Sequence, residues 1–231
     1  PRSPRMMRVV VGGSELDGLE IHDPAASIRL LVPSGEVFEV PKWNGNEFLL
    51  ADGRRPVIRT FTPVSLDSTG HELTIDIVRH PGGAISTWVE AARPGDPCAV
   101  SGPGRGESID ATAERYVLLG DETAIPAIEQ LLAAIPSTID IETIIEVADE
   151  DGRLDLADCA AGDVEWHVPE PGEAPGSTLL SAIAATTIDE GTRVWAAGEA
   201  ASVQAIRKHL FGERGIPRTH TTIRGYWKVP R

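Results

Sequence analysis

The chain has 231 residues, enough for one large domain or two small ones around a real core. Acidic side chains outnumber basic ones 35 to 21, and the net charge of −14 repels nucleic acid and anionic membrane surfaces. The longest apolar runs, such as residues 116–119, fall far short of a bilayer span, and no apolar stretch of signal-peptide type follows the first residues. Cys98 and Cys159 lack metal or redox spacing and read as buried thiols, so a cytoplasmic, reducing setting is expected.

The first half reads as β. Residues 8–11 end at Gly12-Gly13, residues 28–32 at Pro33, and residues 56–61 at Thr62-Pro63. Residues 73–78 alternate with period two, and residues 98–100 end at Gly102-Pro103-Gly104. Short strands between Gly, Pro and Asp turns predict an antiparallel barrel. One helix, residues 83–92, interrupts them and closes at Pro94-Gly95-Asp96.

Two segments of this half carry chemistry. Arg59-Thr60-Phe61-Thr62-Pro63 supplies a cation, an aromatic ring and a hydroxyl. His80-Pro81-Gly82-Gly83-Ala84-Ile85-Ser86-Thr87-Trp88 supplies a glycine turn that opens a helix, with Ser86 as a further donor. Free N–H groups and the dipole at a helix start favour an anion. Alone, the turn reads as plain helix capping and Arg59 as a surface arginine. Together and in this order, they suit a flavin dinucleotide held by ring and pyrophosphate.

The second half changes rhythm. Residues 116–119 read as a buried strand, followed by a helix over 123–134. Strands at 141–147, 164–168 and 193–197 follow, with helices at 177–188 and 200–211. Alternation of this kind predicts a doubly wound parallel sheet, whose ligands bind at the carboxyl ends of its strands. Those ends are Gly120-Asp121-Glu122-Thr123, Ala148-Asp149-Glu150 and Gly198-Glu199. The domains are expected over 1–110 and 115–231. Residues 140–173 are acid-rich, with Arg153 the one base, whereas residues 207–231 are basic, with Glu213 the one acid. That tail reads as a solvated C-terminal helix with bases suited to its dipole, or as a patch for an anionic ligand.

The chain resembles, nearly end to end, the siderophore-interacting protein family of flavin reductases, a branch of the ferredoxin-reductase-like superfamily. Arg59 to Pro63 resembles the family's R-x-Y-T segment, and His80 to Trp88 its H-x-x-G-P-A-S-x-W segment. Leu119-Gly120-Asp121-Glu122-Thr123-Ala124-Ile125-Pro126-Ala127-Ile128 resembles G-D-E-T-A-L-P-A-I. Ser101 to Gly106, Trp195 to Glu199 and Gly225-Tyr226-Trp227 resemble its remaining signatures. Phe61 stands where the family has tyrosine and loses one hydroxyl hydrogen bond, about 1 kcal/mol. Ala84-Ile85 replaces Pro-Ala.

The resemblance implies a six-stranded antiparallel Greek-key barrel that binds FAD, then a doubly wound parallel-sheet nucleotide-binding domain. It places Arg59 on FAD phosphate, Phe61 on the flavin or its ribityl chain, and Thr62 near the flavin's reactive nitrogen. Gly83 and Ser86 take the pyrophosphate, with Thr60, His80, Gly82, Ala84, Ile85 and Trp88 beside them. Asp121, Thr123, Ala124, Glu199 and Trp227 match motif positions on the side of the nicotinamide donor, NADH or NADPH. Carboxylates after the second strand of this half lean toward NADH. The implied activity is reduction of a ferric siderophore, releasing Fe(II), with Arg29 and Arg105 at matching positions as cations that meet it; the third basic position falls near Thr222, among Arg218, Arg224 and Lys228, and Arg224 is chosen for it. Ferredoxin as donor, a flavin-free siderophore carrier, and a generic flavin reductase with another acceptor stay open. A monomer is expected.

Overall fold

The computed structural model describes residues 1–33, 35, 37–156 and 164–229. The chain divides into two compact units, Pro1–Gly106 and Glu107–Arg231. No described helix is long and apolar enough to cross a membrane. Cys98 is half-buried, and burial pushes its thiol pKa up. Cys159 lies outside the described residues.

The first unit contains β1 (Met6–Gly12), β2 (Ile28–Val32), β3 (Lys42–Trp43), β4 (Phe48–Leu49), β5 (Val57–Phe61), β6 (Pro63–Asp67), β7 (Glu72–Val78), α1 (Ala84–Ala91) and β8 (Ala99–Ser101). Six of the strands form two antiparallel sheets, β1-β7-β6 and β5-β2-β8, while β3 and β4 make a separate hairpin. Alternation decides which side chains go inward. Leu73, Ile75 and Ile77 of β7 join Ile28, Leu30 and Val32 of β2 in one core, which Ile85 and Val89 of α1 close. Thr62 is the corner between β5 and β6, where the chain passes from one sheet to the other.

The second unit contains β9 (Arg115–Asp121), α2 (Ile125–Ala134), β10 (Asp140–Glu146), β11 (Val164–His167), α3 (Ser177–Ala185), β12 (Thr192–Glu199), α4 (Ala200–Arg207) and β13 (Thr221–Trp227). Its sheet runs β11-β10-β9-β12-β13 and is parallel throughout. Val117, Leu118 and Leu119 form a continuous buried run, as expected for a strand covered on both faces. Strand order reverses between β9 and β12, so their carboxyl ends make the switch point of the sheet.

The tail departs from the expected terminal helix. α4 ends at Arg207, a π-helical turn covers Lys208–Glu213, and the chain returns as β13. Four tail arginines serve the fold. Arg207 donates to the Ile223 carbonyl, and Arg214 donates to the Ile183 and Thr186 carbonyls at the end of α3. Arg218 stacks over Phe211 at 4.8 Å, and Arg224 pairs with Glu107 at 3.2 Å. α3 stops at Ala185 rather than 188, where Thr186 Oγ1 turns back to the Ala182 carbonyl.

Candidate functional site

In the first unit the predicted residues gather around one end of β2. Ile28, the first residue of β2, pairs with Phe61, and Arg29 pairs with Thr60 on one side and Ser101 on the other. Directly opposed residues share a face, so Arg29, Thr60 and Ser101 form a row. Arg59 and Phe61 point to the other face by the period of two. Phe61 packs on the core, while Arg59 is exposed and donates to its neighbour's carbonyl, Ile58, at 2.8 Å. Thr62 is 6% exposed, yet its hydroxyl meets no partner among the described residues.

The start of α1 carries no side-chain cap. Gly82 has φ +74°, the left-handed conformation that lets the chain turn into the helix without strain. Gly83 is the N-cap, no side chain caps the helix, and its first turn holds no acid. Ser86 Oγ accepts the His80 N–H at 3.0 Å, pinning the turn to the helix instead of capping it. The His80 ring lies over Gly83 and leaves no room for a Cβ there. Ile85, Val89 and half-buried Trp88 hold α1 on the core, and the helix packs against β5. The backbone N–H groups of Ala84, Ile85 and Ser86 therefore have no carbonyl four residues back to bond. An uncapped helix start, a threonine hydroxyl and an exposed arginine fit a dinucleotide's phosphates and the polar edge of its ring system.

Arg105 sits in the loop after β8. Gly104 N–H donates to the Ser27 carbonyl at 2.6 Å, and Gly104 and Gly106 have no room for a Cβ against Ser27 and Asp23. The loop is thus pressed on residues 23–28, which lead directly into Arg29. Arg224 lies in the second unit, where Glu107 holds its guanidinium and also accepts from Thr222 Oγ1 at 2.7 Å.

In the second unit, Asp121 ties the switch point together. Its Oδ1 accepts the Thr123 N–H at 2.9 Å and Thr123 Oγ1 at 2.5 Å. Its Oδ2 accepts the Glu199 N–H at 2.9 Å and Trp227 Nε1 at 2.7 Å. Burial raises the Asp121 pKa against the pull of these four donors. Glu199 in turn caps α4 through Ala201 N–H at 2.5 Å and Ser202 N–H at 3.0 Å. Ala124 is fully buried, and Gly120 has no room for a Cβ against it. Sequence reasoning missed Glu146, which ends β10 and accepts from Gly176 N–H and Thr178 N–H at the start of α3. Its one signal was an acid closing a buried apolar strand.

An antiparallel unit with a glycine-turn helix, followed by a parallel unit with a switch point, defines the ferredoxin-reductase-like class of fold. Residues 2–107 match the family model of the siderophore-interacting FAD-binding domain, and residues 113–229 match that of siderophore-interacting proteins, so the chain belongs to the siderophore-interacting protein family. An uncharacterized protein of Mycobacterium tuberculosis is 32% identical over 99% of this chain and 87% of its own. Ferric vibriobactin reductase of Vibrio cholerae is 28% identical over 98% and 85%. The NADPH-dependent ferric-chelate reductase of Escherichia coli is 27% identical over 95% and 86%. A siderophore utilization protein from T. fusca superposes with a TM-score of 0.80 at 31% identity, covering 99% of this chain and 89% of that one.

Proposed function

We propose that this protein is an FAD-dependent reductase of ferric siderophores that draws its electrons from a reduced nicotinamide nucleotide. The observation that carries this reading is the uncapped start of α1, packed on the strand that bears Arg59 and Phe61 and leads into Thr62. The relatives named as ferric reductases support it. Bound FAD would accept a hydride and pass electrons on singly, which a protein side chain cannot do.

The chain's own residues bind and orient. The N–H groups of Ala84, Ile85 and Ser86 and the Arg59 guanidinium take the phosphates, each by charge-assisted hydrogen bonds. Phe61 offers a flat apolar face, and the Thr62 hydroxyl donates to a ring acceptor. Arg29 and Arg105, at the same end of β2, attract an anionic chelate. Hard oxygen ligands prefer Fe(III), so reduction itself loosens the chelate and no protein ligand has to extract the metal.

The test is a flavin titration combined with chelate-reduction kinetics. Arg59→Ala is expected to weaken FAD binding by about ten- to a hundredfold, as for one hydrogen bond to a charged group. Arg29→Ala with Arg105→Ala should keep FAD affinity but lower kcat/KM for an anionic ferric chelate by about tenfold or more. Failure of the unaltered protein to bind FAD would refute the reading, and unchanged chelate kinetics in the double variant would remove the two arginines from it.

A further inference from the structure

A parallel sheet of this order ordinarily offers helix N-termini at the carboxyl ends of its strands, and a dinucleotide's pyrophosphate lies on their N–H groups. We infer that the second unit has no such seat among the described residues, and that the donor is recognised through its nicotinamide–ribose half alone. The inference rests on the nicotinamide donor proposed above.

Each described helix start of this unit, at α2, α3 and α4, already faces an internal acidic side chain. At α4, Glu199 Oε2 takes the Ala201 and Ser202 N–H groups, and its Oε1 takes the Val229 N–H at 3.3 Å. At α3, Glu146 Oε1 takes the Gly176 N–H at 2.5 Å, and Oε2 takes the Thr178 N–H at 3.1 Å and its hydroxyl at 2.5 Å. Before α2, Asp121 takes the Thr123 N–H, the Ile125 N–H bonds the Glu122 carbonyl, and Pro126 has none. Asp121, Glu146 and Glu199 are 9%, 4% and 5% exposed, so none is a surface group that swings aside for a ligand.

The glycines of these turns confirm what occupies the space. In dinucleotide folds such glycines let phosphate approach the backbone. Here a Cβ on Gly198 would stand 2.6 Å from Asp121 Oδ2, and one on Gly176 would run into Ser202 Oγ. They make room for the protein's own oxygens. Charge adds to the block. Glu122 is also buried at this edge, and Arg153, which follows β10, is paired with Glu150 at 2.9 Å. A pyrophosphate would meet buried acidic oxygens that already hold these N–H groups, and would bring its own charge into a low dielectric with no free donor to receive it. The contrast with α1 of the first unit, uncapped and without acid, is complete.

The experiment uses the FAD-loaded protein and three donors: NADH, NADPH and the mononucleotide NMNH. Stopped-flow bleaching of the flavin should give NMNH a second-order rate within about threefold of NADH, with NADPH no faster than NADH, because the adenylate half adds no binding energy. Calorimetry with ADP-ribose should show no binding at concentrations up to about 5 mM. An NMNH rate lower by more than that margin, a preference for NADPH, or binding of ADP-ribose would each overturn the inference. If dithionite bleaches the flavin but none of the three donors does, the nicotinamide donor and this inference fall together. FAD binding and chelate reduction would still stand on their own tests with Arg59, Arg29 and Arg105.

Discussion

Asp76 shows how one residue holds two distant stretches of chain. Its side chain is fully buried on β7, facing β1. Arg8 meets it with two bonds of 2.8 Å, and Arg2 adds a third at 2.7 Å. Burial pushes the carboxyl pKa up, but the two guanidinium groups outweigh it and hold the value below the ordinary range. A depressed carboxyl stabilises the fold above its unfolded pKa, and that stability is lost as pH falls through the folded value. Asp76→Asn should therefore cost about 2 kcal/mol at pH 7, the range for hydrogen bonds to charged groups. The difference in urea midpoint between variant and parent should shrink below about pH 4. A difference that stays constant down to pH 2.5 would mean that the ion pair carries none of it. Trp227 makes the opposite kind of contribution, because its indole is one of the four donors that reach buried Asp121 among the described residues. Trp227→Phe keeps the ring but leaves that oxygen short of a partner, and about 1–2 kcal/mol of stability should go with it, read from the same denaturation curves.

At the scale of elements, close approach fixes the join between β9 and α2. A Cβ on Gly120 would stand 2.4 Å from the Ala124 Cβ and 3.1 Å from the Ala197 carbonyl oxygen, a one-carbon side chain and a backbone atom that cannot swing aside. Gly120→Ala is expected to destabilise by about 1–3 kcal/mol as overpacking, lowering the thermal midpoint without changing FAD affinity. The strands β2, β7, β9 and β12 were legible in the sequence because each is a clean apolar run or alternation, and all but β7 are ended directly by Gly or Pro. β6 was not, because it opens on Pro63 and its pairing with β7 slips between Pro63 and Ser65. β13 was hidden by Gly225 in its interior and by a basic character that suggested a helix, and only its parallel pairing with β12 makes it a strand. The site divides the same way. The glycine turn before α1 is local and could be read directly, since an N-terminal cap shows within four residues. Glu146 could not be read, because the N–H groups it caps lie 30 and 32 residues further along the chain.

Across the whole molecule, Arg29 and Arg105 are local cations on a protein of net charge −14. The basic tail does little to offset this for a ligand, since Arg207, Arg214, Arg218 and Arg224 are engaged in carbonyl, aromatic and carboxylate contacts of the fold. Range then decides which charge an approaching chelate feels. At about 0.01 M salt the screening length is ~30 Å and a trianionic ferric chelate senses the entire acidic body, whereas at 0.1 M it is ~10 Å and only nearby groups count. Raising salt over that interval should speed second-order reduction of the trianionic chelate by about two- to fivefold, as the global repulsion is screened first. Above it the rate should fall again, because the attraction to Arg29 and Arg105 is screened in turn. A neutral chelate should show a flat profile. In Arg29→Ala with Arg105→Ala, the rise should continue past 0.1 M and the later fall should vanish, since no local attraction is left to lose. A rate for the unaltered protein that falls steadily from the lowest salt would mean that the two arginines dominate at every distance, and the net charge would then have no part in selecting the substrate.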